Sequence, residues 1–280
     1  MYPLPTAIPP EELGRGSPIG LEIVDTDIDL YHHMAWTMLD ALQANNAAGR
    51  PTVFIVPVGP TGQYRRFAAL CNRHNVPCQD LYLFNMDEYL QDDGTYVPMD
   101  HPLSFRGFME REYRQRIRED LRPAPDHVIF PDPARPESAA ERMAELGGVE
   151  ICFGGVGING HIAFNEPPEP GQTMSNEEFK NLPTRVLPLA RESRTINAHT
   201  AGGGDLQAVP ALAITLGMRE LLAARKMRFY MNRPWQKSIA RRLLHGPVTA
   251  AVPASFLQEH PDASLVITRE VAETPVVRLA

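Results

Sequence analysis

Three side chains in this sequence are suited to moving protons, and two of them stand five residues apart. His161 and Glu166 lie in the run GGVGINGHIAFNEP (154–167), which follows a buried apolar segment and places four glycines around one histidine. Paired glycines let the backbone turn sharply and can present N–H groups to an oxyanion. A histidine on such a turn can shuttle a proton between two oxygens, with Glu166 orienting the ring or tuning its proton affinity. Asn159 sits two residues before the histidine, where its side-chain oxygen can accept a hydrogen bond from the imidazole but supplies no charge. The third proton carrier is in NMDEY (85–89). Adjacent residues on an extended chain point to opposite faces, so one of Asp87 and Glu88 faces any given ligand. Burial would bring that carboxyl toward the working pH of a general base. The plainer alternatives are an acidic helix cap for the pair and a hydrogen-bonded core residue for the histidine.

Other chemistries fit less well. A histidine and a glutamate at this spacing match no standard metal-ligand pattern, so no metal is expected. VGPTGQ (58–63) has the position and glycine content of a phosphate cradle, but no Lys-Ser/Thr follows to make it a Walker loop. GVGING (155–160) spells a dinucleotide fingerprint, yet the histidine and IAF after it do not read as a phosphate-binding helix start, and no cofactor is expected.

The elements that position these residues alternate. Apolar runs at 51–59, 80–89, 149–157, 211–217, 227–231, 248–252 and 263–268 read as strands. Between them, helical periods are expected at 27–46, 61–74, 104–120, 137–147, 217–224 and 234–245, with a short strand at 128–130. The expected fold is α/β, a Rossmann-like doubly wound, mostly parallel sheet with helices on both faces. Ligands of such sheets bind beyond the carboxyl ends of the strands, where VGPTGQ, NMDEY and GINGHIAFNE all fall. No linker divides the chain, so residues 20–280 are expected to form one domain behind a proline-rich extended arm (1–19), suited to packing on a neighbouring subunit.

At 280 residues the chain is long enough for a large core. Its hydrophobic content of 43%, charged content of 22% and formal net charge of −7 describe an ordinary globular protein and argue against a nucleic-acid binder. Cys71, Cys78 and Cys152 form no CxxC pair, which suits reduced thiols and a cytoplasmic location. No apolar run reaches membrane-spanning length, and the N-terminal residues do not read as a secretory signal.

FNMDEYL (84–90) and GVGINGHIAFNEP (155–167) together resemble the glucosamine-6-phosphate deaminase/isomerase family. The resemblance runs on in order through TRVLPLARESRTIN (184–197), VPALAITLGMRELL (209–222), Gln236-Lys237 and FLQEHPDASLVI (256–267), so it covers most of the chain. The IAFNEP segment favours this branch over the relatives that hydrolyse 6-phosphogluconolactone. The resemblance implies a metal-free reaction on an amino-sugar 6-phosphate, giving ketose phosphate and ammonia, in an oligomeric enzyme. It implies that Asp87 is the isomerisation base, His161 the ring-opening group and Glu166 its carboxylate partner. Gly59, Thr61, Gly62, His199 and Lys237 correspond to positions that hold the phosphate.

The sequence departs from the family pattern at several of these positions. Asn159 stands where relatives usually carry aspartate. Pro60 interrupts a Thr-Gly-Gly-Thr type loop and offers no backbone N–H. His199 replaces a phosphate-binding arginine, whose bidentate guanidinium an imidazole does not reproduce. Leu187 and Pro188 stand where an effector site has polar side chains. An isomerase of a different or non-phosphorylated sugar, or a non-catalytic sugar-binding protein, are the alternative expectations.

Overall fold

The structure, a computed structural model, describes residues 7–169 and 171–276. Its central strand shows why the sheet is covered on both sides. All five residues of β2 (Thr52–Val56) are buried. Val53 and Ile55 enter one hydrophobic core, while Phe54 and Val56 enter the other. Strand residues alternate between faces, so an unbroken apolar strand needs a helical layer on each side.

Around β2 lie β1 (Gly20–Val24), β3 (Leu81–Asn85), β5 (Val128–Ile129), β6 (Ile151–Gly154), β9 (Lys226–Met231) and β10 (Ala263–Thr268). The order is β1-β10-β9-β6-β2-β3-β5 and every pairing is parallel. One core is closed by α1 (Asp27–Ala47), α2 (Gln63–His74) and α3 (Phe105–Glu112). The other is closed by α4 (Ser138–Glu145), α5 (Asn176–Lys180), α7 (Met218–Leu222), α8 (Lys237–His245) and α9 (Arg269–Ala272). This is the doubly wound, parallel arrangement expected from the sequence. The chain winds outward from β2 through β3 to β5, then returns to β6 on the other side of β2. The order therefore reverses between β2 and β6, which makes that junction a topological switch point.

A second, antiparallel sheet, β4-β8-β7, stands beside the first. It consists of β4 (Asp87–Leu90), β8 (Leu212–Thr215) and β7 (Arg185–Pro188), with α6 (Arg191–Thr200) packed on it through Ala198. Its presence corrects two sequence expectations. Residues 80–89 are not one strand but two, because the chain changes sheets at Met86. Residues 212–215 pair antiparallel with β4 instead of joining the parallel sheet. The expected strand at 248–252 is a turn closed by a bridge between Thr249 and Val252. The helix expected at 104–120 ends at Glu112 and continues only as a 3₁₀ turn at Arg114–Arg116.

Of the expected arm, residues 1–6 lie outside the described residues. From Ala7 onward it packs on its own domain. Leu13 and Ile19 are buried in the core closed by α8. Arg241 Nε donates to the Ile8 carbonyl at 2.8 Å, and Gly14 N–H to His245 Nε2 at 3.0 Å. The three cysteines are free and buried. No helix among the described residues is long and apolar enough to cross a membrane.

Candidate active site

A cavity of about 470 Å³ opens at the switch point, lined by the segments that follow β2 (57–61), β6 (155–157) and β9 (Asn232, Arg233, Trp235 and Gln236). The second sheet closes it with Asp87 and Tyr89, and α6 contributes Ile196, Asn197 and Thr200. Asp87 and His161 both line this cavity.

Asp87 is the first residue of β4, paired with Thr215 of β8. It is 7% exposed, and burial together with the Glu88 charge pushes its carboxyl up to about 8. Glu88 points the other way and is fully buried. Its carboxylate accepts from the N–H groups of Tyr89 (2.8 Å), Phe105 (3.0 Å) and Arg106 (2.7 Å), and from Ser104 Oγ (3.1 Å). Burial raises its proton affinity, and these four donors oppose that. Two of the donors are free N–H groups in the first turn of α3, so Glu88 anchors a helix terminus. One acidic residue thus serves the cavity and its neighbour the scaffold.

The turn 157–163 shapes the histidine. Gly157 N–H donates to the His161 carbonyl at 2.9 Å, and Gly160 adopts φ +91°. A Cβ on Gly157 would stand 2.1 Å from His161 Nε2, so only glycine leaves room for the ring. Ala163, also on the cavity wall, holds φ +54°, a conformation that costs a non-glycine residue about 1 kcal/mol or more. Asn165 ties the segment down, donating to Leu216 O at 2.9 Å and accepting from Arg185 Nη1 at 2.8 Å.

His161 Nδ1 lies 2.9 Å from Asn159 Oδ1, 3.0 Å from Glu166 Oε2 and 3.2 Å from Ser193 Oγ. With acceptors gathered at Nδ1, that nitrogen carries the proton and Nε2 is left with a lone pair. Asn159 Nδ2 also donates to Glu166 Oε2 at 2.7 Å, and Ser193 Oγ donates to Glu166 Oε1. Burial would raise the Glu166 carboxyl. The His161 ring and the hydrogen bonds from His161, Ser193 and Asn159 outweigh it and hold the carboxyl below its usual range.

The expected phosphate residues divide. Gly59 and Thr61 line the cavity, as does Pro60. Gly62, His199 and Lys237 are not part of its wall. A Cβ on Gly62 would lie 2.3 Å from the Tyr31 ring, so this glycine serves packing between α2 and α1. His199 is exposed near the end of α6. Lys237 Nζ pairs with Glu273 at 2.7 Å.

Sequence reasoning missed Ser193, Tyr89, Asn197, Arg233 and Trp235. Tyr89 OH accepts from Asn197 Nδ2 at 2.9 Å, bridging β4 and α6 across the cavity wall. A signal for α6 was present, because Ser193, Asn197 and Thr200 recur at helical spacing and fall on one face. Among the described residues no group of three or more His, Cys, Asp or Glu is gathered closely enough to hold a metal ion.

A buried carboxylic acid and a carboxylate-backed histidine at the switch point of a doubly wound sheet define a proton-transfer enzyme of the Rossmann-like class. The protein is 31% identical to the glucosamine-6-phosphate deaminase of Lachnoclostridium phytofermentans over 74% of its own length and 82% of that protein's. It is 32% identical to the deaminase of Aeromonas hydrophila, over 78% of each. The chain belongs to the glucosamine-6-phosphate deaminase family. No family model matches it. A solved monomeric glucosamine-6-phosphate deaminase, described as a missing link of the NagB superfamily, superposes with a TM-score of 0.76 at 26% identity, covering 91% of this chain and 99% of that one. The 6-phosphogluconolactonase of Trypanosoma brucei shares the fold, with a TM-score of 0.63 at 17% identity over 91% of this chain and 97% of its own.

Proposed function

We propose that the protein converts an amino-sugar 6-phosphate of the glucosamine-6-phosphate type to the ketose phosphate and ammonia. The observation that carries this reading is the pairing, in one cavity, of Asp87 with a His161 whose Nδ1 is backed by Glu166, Asn159 and Ser193. His161 Nε2 takes the proton of the anomeric hydroxyl and returns one to the ring oxygen, opening the sugar. Asp87, ionised, removes the proton at C2 and delivers it to C1 through an enediol-like species. The imine this leaves at C2 takes up water and releases ammonia. Each step is a proton transfer by a positioned side chain. Glu166 stabilises the transient imidazolium, while Asn159 orients the ring without adding charge. Gly59 and Thr61 are assigned to the phosphate side.

Ammonia release from glucosamine 6-phosphate tests the reading, with free glucosamine and galactosamine 6-phosphate alongside. Ammonia and ketose phosphate in equal amounts from the first substrate is the expected result. Turnover of free glucosamine at a matching kcat/KM would instead favour a sugar isomerase that does not require phosphate. The family resemblance also points to a cytoplasmic oligomer. Sedimentation velocity tests the assembly, since the solved deaminase of similar fold is monomeric.

A further inference from the structure

Among the described residues that line the cavity, Arg233 is the only lysine or arginine. It stands two residues beyond β9, and β9 neighbours β6, which neighbours β2. Arg233 and the loop 59–61 therefore rise from the same end of three adjacent strands. The spacing there is close: a Cβ on Gly155, after β6, would lie 3.2 Å from the Gly59 carbonyl and 3.8 Å from the Tyr230 carbonyl.

The backbone at Arg233 is held firmly. Its N–H donates to Gln236 Oε1 at 2.8 Å, and Gln236 Nε2 donates to the Val156 carbonyl at 2.7 Å. Next to it, Asn232 Nδ2 donates to Tyr31 OH at 3.0 Å. Arg233 is exposed where it lines the cavity, and it forms no ion pair among the described residues. The two other cations suggested for this role are placed differently. Lys237 is paired with Glu273, and His199 lies outside the wall.

We propose that Arg233, in place of Lys237 and His199, grips the anionic group of the substrate and sets the preference for phosphorylated sugars. This rests on the sugar-phosphate reading above. A guanidinium offers two parallel N–H donors to a phosphate, which a lysine does not. Pro60 offers no backbone N–H in the loop 59–61, so a larger share of phosphate recognition falls on Arg233, with Thr61 on the same cavity wall.

The test measures calorimetric binding of glucosamine 6-phosphate, free glucosamine and inorganic phosphate to the full chain, together with kcat and KM for ammonia release. Arg233→Ala, Arg233→Lys and Lys237→Ala are compared with the unmodified protein. Arg233→Ala is expected to weaken the 6-phosphate and inorganic phosphate by roughly 10- to 100-fold, the range for a hydrogen-bonded charge, and to leave free glucosamine alone. The loss falls on KM more than on kcat, Arg233→Lys recovers part of it, and Lys237→Ala stays within about threefold. Three results overturn the proposal: unchanged discrimination in Arg233→Ala, loss of discrimination in Lys237→Ala instead, or an unmodified protein that binds free and phosphorylated glucosamine alike. Phosphate discrimination that depends on Arg233 without any ammonia release would support this inference while removing the deaminase reading.

Discussion

At the scale of single residues, Asp87 and Glu88 differ in what meets their oxygens. Glu88 receives four donors, whereas Asp87 faces the cavity and shares its surroundings with that buried negative charge. An aspartate in an unfolded chain loses its proton near 3.9, about four pH units before the folded Asp87 does. Between those values the folded state holds a proton that the unfolded chain has released, so stability falls as pH rises from about 4 to about 8. Asp87→Asn removes that cost. Thermal unfolding should show the variant more stable at pH 8 by up to about 5 kcal/mol, about 1.4 kcal/mol for each of roughly four pH units, with the gain vanishing toward pH 4. Equal Tm values at pH 8 would contradict a buried, proton-holding Asp87. Ser193 acts through its neighbours and is a positioning residue. Ser193→Ala removes a donor to Glu166 and a neighbour of the imidazole, and kcat is expected to fall roughly tenfold with KM little changed. A kcat within twofold of the unmodified enzyme counts against that role.

The residues that sequence could reveal were those whose geometry is local. Asn159, His161 and Glu166 share one turn, and strand alternation separates Asp87 from Glu88. Ser193 reaches the same histidine from α6, 32 residues later, and no local pattern encodes that contact. A 3₁₀ turn at Pro234–Gln236 lies between Arg233 and α8, so Arg233 is at the cavity rim while Lys237 starts the helix and pairs with Glu273.

At the scale of elements, Met86 is the hinge of the site. β3 ends the parallel run and β4 begins the antiparallel sheet with only Met86 between them. Sequence pattern alone reads 80–89 as continuous, because both strands are buried and the polar residues Asn85, Asp87 and Glu88 at the junction are buried with them. The same limit hid the direction of β8, since periodicity reports burial and not pairing. The arm was similarly ambiguous: its prolines mark extended chain, while Leu13 and Ile19 enter the core of its own domain. Glu88 binds these elements together by carrying β4 against the first turn of α3. Glu88→Gln replaces an acceptor with an amide donor facing N–H groups, and should cost roughly 2–4 kcal/mol of stability in denaturant unfolding. Removing its charge also lowers the proton affinity of Asp87, so the acid limb of kcat/KM should move to lower pH. An unmoved limb would show that the two carboxyls are electrostatically independent.

At the scale of the whole molecule, the alternation of β2 between two cores creates the doubly wound sheet, and the reversal between β2 and β6 creates the cavity. The small second sheet then brings an acid to a histidine that comes from a different strand end. The doubly wound sheet with its site at the strand ends was legible in the sequence, because alternating apolar strands and helices with polar clusters at strand ends admit few other folds; the strand order and the second sheet were not. The measurement that tests the central claim most directly is ammonia release from glucosamine 6-phosphate between pH 6 and 9, by the unmodified enzyme and by Asp87→Asn. The base must be ionised to remove the C2 proton, so kcat/KM should fall about tenfold per unit below an apparent pKa near 8 and level off above it. The variant should bind the sugar phosphate yet release no ammonia at any pH. An Asp87→Asn protein that turns over at the normal rate, or a flat profile in the unmodified enzyme, would contradict the assignment of Asp87 as the base.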